Sequence, residues 1–163
     1  MDPVLAARHP LLGLYITLAV IHVGASIQFL GSMIYSVFVA RPAAEKFFAD
    51  DPHTLNMFQI TLAHGGRPKV GATLLVLLLS GVGLLVVDND LDTTETIFMA
   101  IKSIGFVAIV MAFWYMSFKL WPRRVFAVPD DMPAIMQRFV VSVIVTFSAA
   151  WAGVILGVIM THR

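Results

Sequence analysis

The chain has 163 residues, of which 59% are hydrophobic, and its formal net charge is +1. A soluble domain of this size does not need so much apolar sequence, so the composition predicts a polytopic membrane protein. The near-neutral charge argues against nucleic acid as a partner. The lack of cysteine excludes disulfides, thiolate metal sites and cysteine nucleophiles.

The first predicted span covers 11–40 and is the longest apolar stretch of the chain. It contains no acidic or basic residue except His22. About twenty apolar residues are enough to cross a bilayer, so this span is long enough to tilt or to project past the headgroups. The residues before it lack the cationic region and short apolar core of a signal peptide, and we expect the span to be retained.

Three more spans follow, each bounded by charged or proline-containing connections. We predict them over 70–87, 96–121 and 134–160. The segment 54–63 fits a short interfacial helix, and Thr93 or Thr94 is suited to cap the third span. The pattern predicts an all-α fold, a four-transmembrane-helix bundle that forms a single membrane domain over 1–163.

Basic residues predict the orientation of these spans. They cluster in the first and third connections and just after them: Arg41, Lys46, Arg67, Lys69, Lys119, Arg123, Arg124 and Arg138. Because cytoplasmic loops carry the excess of lysine and arginine, we expect this side to be cytoplasmic. Both termini then lie outside, on the periplasmic side of a bacterial-type inner (plasma) membrane.

His22 is the first candidate for chemistry, because a histidine inside a membrane span is costly unless it faces a partner or a cavity. The helix rise places it roughly 13–18 Å below the outer end of its span. Ser26, Phe29 and Met33 share its face by helical spacing. The ring suits an axial ligand of haem or a copper ligand. It also suits a hydrogen bond to a neighbouring helix.

Lys102 is the second candidate, roughly 8–10 Å into the third span from the outer side. Its ammonium suits a haem propionate, an unusual axial ligand position or an anionic substrate. Alternatively, its long stem carries the charge to the interface.

The other histidines are weaker candidates. His64 lies at the cytoplasmic end of the second span, so it is too far from His22 to share one haem with it. His9 and His162 lie near the termini, where a weak outer-side copper site with His22 deeper along a path is an alternative.

Other catalytic motifs do not occur in the sequence. The chain has no glycine-rich phosphate loop, no metalloprotease H-E-x-x-H and no serine nucleophile elbow. Every acidic residue falls in a predicted connection, which argues against a proton-coupled pump or carrier that relays protons through buried carboxylates.

The order of features resembles a known superfamily. The first span reads IHVGASIQFLGSMIYSVFVARP, the second has a Ser-Gly two thirds along, the third has a lysine near its start and ends FKLWP, and the fourth begins QRFVVSVIV. This arrangement is similar to the copper resistance D family and to its relatives, the HemJ-type protoporphyrinogen oxidases. The resemblance spans most of the chain and implies haem b, with His22 and Lys102 at the positions tied to it.

The chain also departs from those relatives. The tryptophan usual after the histidine is Phe29 here, and the last span lacks the Asn-Glu-x-Pro stretch of the HemJ type. The resemblance therefore implies a haem-binding relative rather than that particular oxidase. We expect a membrane b-type haem protein that transfers electrons or oxidises a small substrate. The alternatives are a copper-handling membrane protein and a non-catalytic small subunit, with the lipid bilayer and a homodimer or a larger membrane complex as partners.

Overall fold

The computed structural model describes residues 12–87, 92–128 and 131–161 of the chain. Every regular element in these ranges is helical. Four of the helices are long and apolar enough to cross a membrane: Leu12–Phe47, Pro52–Val87, Thr93–Val125 and Met132–Met160. The predicted all-α, four-helix membrane fold is confirmed, and the chain is a multi-pass membrane protein.

The chain divides into two compact units, of which the first is Met1–Asp90. Here α1 (Leu12–Tyr35) continues through a π-helical turn (Ser36–Ala40) into the short α2 (Arg41–Phe47). Helix α3 (Pro52–Val87) then packs against α1. Unit one is thus a helical hairpin whose first arm contains a π-helical turn near its end.

Unit two, Leu91–Arg163, is built on the same plan. Helix α4 (Thr93–Tyr115) continues through a second π-helical turn (Met116–Leu120) into the short α5 (Trp121–Val125). Helix α6 (Met132–Thr161) packs against α4. The single membrane domain expected over 1–163 stays a prediction.

A proline explains each π-helical turn. One residue separates each π-helical turn from a proline, Pro42 after the first turn and Pro122 after the second. Proline has no N–H to donate, and its ring displaces the carbonyl four residues earlier, so the helix loosens ahead of it. The Arg41 N–H accordingly bonds the Ser36 carbonyl, and the Trp121 N–H bonds the Met116 carbonyl. The first span therefore does not stop at Arg41-Pro42 as expected but continues to Phe47.

Helix α3 joins two segments that the sequence separates. The expected interfacial helix over 54–63 and the span over 70–87 form one continuous helix that passes through Pro68. It begins earlier than expected because Asp51 caps it: the Asp51 carboxylate accepts hydrogen bonds from the Thr54 N–H at 3.0 Å and the Thr54 hydroxyl at 2.6 Å. These bonds lower the pKa of the exposed Asp51 carboxyl below its ordinary value, the hydroxyl bond most of all.

The third span is also capped by a residue other than the one expected. Asp92, rather than Thr93 or Thr94, is the N-cap of α4. Its carboxylate accepts from the Glu95 N–H at 2.7 Å, while the Glu95 carboxylate accepts from the Asp92 N–H at 3.0 Å. This reciprocal pair is a capping box, which satisfies two backbone donors that the first turn leaves without helical partners.

Candidate functional site in unit one

His22 lies on α1 and turns its ring toward α3. The His22 Nδ1 atom is 2.9 Å from the Ser80 Oγ atom, which is a hydrogen bond between two membrane spans. The His22 side chain is half-buried, whereas Ser80 is only 3% exposed. The histidine therefore has a defined partner within unit one, and that partner uses one of the two ring nitrogens.

Glycines on α3 make room for this approach. A Cβ atom placed on Gly81 would lie 3.3 Å from His22 Cε1, and one on Gly83 would lie 3.0 Å from Leu18 Cδ1. Both distances are shorter than ordinary side-chain contacts. The Ser-Gly-Val-Gly stretch over 80–83 thus lets the backbone of α3 lie directly against the His22 ring and the Leu18 side chain.

Ser80 is held in turn by its own helix. Its hydroxyl is 2.6 Å from the Val76 carbonyl oxygen and 3.3 Å from the Leu77 carbonyl oxygen. Bonding of a serine hydroxyl to a carbonyl one turn back is common inside helices. It fixes the position of the Oγ atom that meets His22.

The other residues predicted beside His22 lie on the same side of α1. Phe29 is buried at 6% exposure, and Met33 and Ser26 are half-buried. The Ser26 hydroxyl donates to the His22 backbone carbonyl at 2.8 Å, so it bonds the main chain and not the ring. An open apolar groove elsewhere on α1, around Val20, Gly24 and Ile27, faces away from this side and does not contribute to the site.

Lys102 lies in unit two and meets α6. Its Nζ atom is 3.7 Å from the point that a Cβ atom on Gly157 would occupy. Gly157 is one turn before the end of α6 at Thr161, which is roughly 6 Å from the helix end. The carbonyl end of a helix carries partial negative charge, so the ammonium lies where α6 favours a cation.

The structure therefore links His22 with Ser80, and it places Lys102 in the other unit. Ser80 was not among the residues predicted for the site. The sequence did contain a signal for it, because a serine within a small-residue stretch of one span is a suitable partner for a polar group on another. In this small-residue stretch, the glycines allow close packing and the Ser80 hydroxyl provides the hydrogen-bond partner of His22.

Metal-ligating side chains other than His22 are scattered over the part of the chain that the structure describes. Within the described ranges, no group of three or more histidine and carboxylate side chains is placed to hold a metal ion. His53 and His64 are exposed. His9 and His162, which the copper alternative requires, lie outside the described residues.

Comparison of the chain with known protein families, with curated proteins and with solved structures finds no match.

Proposed function

We propose that the chain is an integral membrane protein that binds b-type haem through His22 and transfers electrons or oxidises a small substrate. The observation that supports this most is the hydrogen bond between His22 Nδ1 and Ser80 Oγ within the membrane span. A histidine that ligates a metal characteristically engages its second ring nitrogen with an oxygen partner, which orients the ring. His22 has such a partner.

The surrounding residues suit this role. With Nδ1 engaged by Ser80, His22 Nε2 is the nitrogen that would hold the iron. Phe29 and Met33, on the same side of α1, supply apolar side chains of the kind that line a macrocycle. Bound haem would supply a reversible one-electron couple, while the chain positions the ligand and excludes water.

Lys102 belongs to the proposal as a charged residue of unit two. Its predicted roles are a second axial ligand or a partner for a haem propionate. The second role agrees better with its surroundings, because the ammonium approaches the last turn of α6, near the end of the span. A cation in that position suits an acidic group at the membrane surface.

The proposed setting is a bacterial-type inner membrane with both termini on the periplasmic side. The distribution of basic residues supports this orientation. The pairing of Arg41 with Glu45 at 2.8 Å involves exposed side chains, which agrees with an interfacial position. The redox partner then approaches from either aqueous side or as a second membrane subunit.

The absorption spectrum of the protein purified from a haem-sufficient host tests the proposal. We expect a Soret band with resolved α and β bands on reduction, and their loss in His22→Ala. His64→Ala is the matched control, because His64 is an exposed histidine of the same unit and its removal should leave the spectrum intact. A colourless preparation that retains copper would instead favour copper handling, and one that retains neither would favour a non-catalytic subunit.

A further inference from the structure

We infer that Ser80 is a positioning residue that fixes the tautomer of His22, so that Nδ1 carries the ring proton and Nε2 carries the lone pair. The assignment of the proton rests on the hydrogen-bond geometry alone. Its consequence, that Nε2 is the nitrogen presented to haem iron, rests on the proposed function.

The number of available protons decides the direction of the bond. The Ser80 hydroxyl has one proton, and its oxygen is close to two kinds of partner: the Val76 carbonyl at 2.6 Å and His22 Nδ1 at 2.9 Å. A carbonyl oxygen can only accept, whereas a ring nitrogen can donate or accept according to the tautomer. The Ser80 proton must therefore point at Val76, because otherwise two oxygens would face each other at 2.6 Å with no proton between them.

His22 Nδ1 must then donate to Ser80. With the hydroxyl proton committed to the Val76 carbonyl, Oγ can only accept from the ring. A bare Nδ1 would place two lone pairs in contact at 2.9 Å. The neutral ring is consequently protonated at Nδ1, and the lone pair falls on Nε2.

Burial stabilises the two hydrogen bonds of the Ser80 hydroxyl, to Val76 and to His22. Ser80 is 3% exposed and lies in a membrane span, seven residues or roughly 10 Å from the end of α3 at Val87. Little water is available there to take over either hydrogen bond, and an unsatisfied polar group in such surroundings is costly. Gly81 adds a steric limit, because its backbone lies against the edge of the ring that includes Cε1.

The tautomer has a chemical consequence at the proposed site. A metal is bound by the unprotonated ring nitrogen, and the partner of the other nitrogen sets which one that is. Ser80 would thus make Nε2 the metal-binding nitrogen before any cofactor is bound. Without the hydroxyl, the ring would have to lose a proton from Nε2 or rotate before it could ligate iron.

Nuclear magnetic resonance of the haem-free protein tests the proton assignment directly. The protein would be labelled with ¹⁵N-histidine, placed in lipid nanodiscs and studied by long-range proton–nitrogen correlation near neutral pH. The His22 signals would be identified by their loss in His22→Ala. We expect a protonated Nδ1 and an unprotonated Nε2 in the wild-type chain. A protonated Nε2 with an unprotonated Nδ1 would overturn the inference without any further variant.

Three variants, at Ser80 and Ser26, test whether the Ser80 hydroxyl sets the His22 tautomer. Ser80→Ala should shift the His22 tautomer population toward Nε2–H, and Ser80→Thr should restore the wild-type pattern because it keeps a hydroxyl at the same position. Ser26→Ala is the matched control: within the part of the chain that the structure describes, the Ser26 hydroxyl bonds the main-chain carbonyl of His22 and not its ring, so its loss should leave the ring signals in place. An unchanged tautomer in a folded Ser80→Ala protein would contradict the role of Ser80.

Haem titration of the same variants separates this inference from the proposed function. Ser80→Ala should lower haem affinity about 10- to 100-fold, in the range typical for partners of metal-binding histidines, with Ser80→Thr close to wild type. If the wild-type protein shows the Nδ1–H tautomer but binds no haem, the proposed function fails and the assignment of the Ser80 proton stands. If haem binds with equal affinity in wild type and Ser80→Ala, the positioning role of Ser80 fails and the proposed function stands.

Discussion

The two units share one plan but differ at the polar residue in the first arm. Each has a long helix, a π-helical turn, a proline-containing short helix and a returning helix. The correspondence holds at a constant spacing of 80 residues: the turns at Ser36–Ala40 and Met116–Leu120 match, as do Pro42 and Pro122. Tyr35 and Tyr115, which precede the two turns, also match.

The same spacing relates His22 to Lys102. Each meets a glycine of the returning helix of its own unit, His22 at Gly81 and Lys102 at Gly157. His22 also meets a hydroxyl, that of Ser80, whereas no hydrogen bond of Lys102 is seen among the described residues. The two hairpins thus differ: unit one carries a ring held by a hydrogen bond, and unit two carries a cation near a helix end.

The two glycines offer the strongest test of this difference. Gly81→Ala would place a Cβ atom 3.3 Å from the His22 ring, and Gly157→Ala would place one at an ordinary 3.7 Å from the Lys102 ammonium. Both substitutions gain about 1 kcal/mol of helix propensity, so this gain cancels in the comparison. We expect haem affinity to fall about tenfold in Gly81→Ala, because the ring must shift away from Ser80. Gly157→Ala should bind like the wild type.

Equilibrium haem titration of the two variants measures this difference. Equal affinity in both would show that the packing of His22 against α3 does not position the ligand. Thermal unfolding followed by circular dichroism serves as the control for folding. Overpacking costs about 1–3 kcal/mol, so a modest loss of stability in Gly81→Ala is expected alongside the weaker binding.

Removal of the cation in unit two should have a smaller effect. Lys102→Met keeps the long apolar stem and removes the charge. On the proposed propionate role of Lys102, we expect the absorption bands to stay in place while the midpoint potential of the haem becomes lower, because loss of a positive charge destabilises the reduced state. Potentiometric titration measures this shift. Displaced Soret and α bands in Lys102→Met would show instead that Lys102 ligates the iron.

The sequence predicted the fold class and the main spans because hydrophobic length is a strong local signal. It also identified His22 as the first candidate for chemistry, since a polar group in a membrane span needs a partner. It did not predict that the first span continues past Arg41-Pro42 to Phe47 or that α3 passes through Pro68. Proline usually ends a helix in water, but within a bilayer helices tolerate it, because leaving backbone groups unpaired there is costlier than a local distortion.

The partner of His22 was harder to predict for a different reason. Ser80 is 58 residues away, and the same helix offers other hydroxyl side chains, such as Thr73. Which of them meets the ring depends on how α1 and α3 are rotated against each other. Gly81 and Gly83 set that rotation by close contact, which no single-helix pattern specifies.

The N-terminal caps of the returning helix in unit one and of the first helix in unit two also differ, and removing a cap should change only stability, by a small amount. Asp92 takes part in a capping box with Glu95, so Asp92→Ala should destabilise α4 by about 1 kcal/mol. Thermal unfolding in detergent micelles measures the change. Thr93→Ala is the control, because Thr93 lies beside the cap without being it. Equal destabilisation by both variants would contradict the assignment of Asp92 as the cap.

Acidification should reveal the smallest effect, at the cap of α3. Because the folded pKa of Asp51 lies below its ordinary value, its ionised form stabilises the folded state. This contribution is complete above about pH 4, the ordinary range of an aspartate, and is lost as the pH falls through the lower folded pKa. Thermal unfolding of Asp51→Asn across this range should show a weaker pH dependence than the wild type. Coincident pH profiles would argue against a stabilising Asp51–Thr54 cap.

The proposed function requires the imidazole of His22 to hold a haem. Titration of haemin into the haem-free protein, followed in the Soret region for wild type, His22→Ala and His64→Ala side by side, tests it most directly. We expect saturable binding with a sharp endpoint in the wild type and in His64→Ala, and only weak, non-saturating absorbance changes in His22→Ala. The same saturable curve in all three proteins, or in none of them, would contradict it.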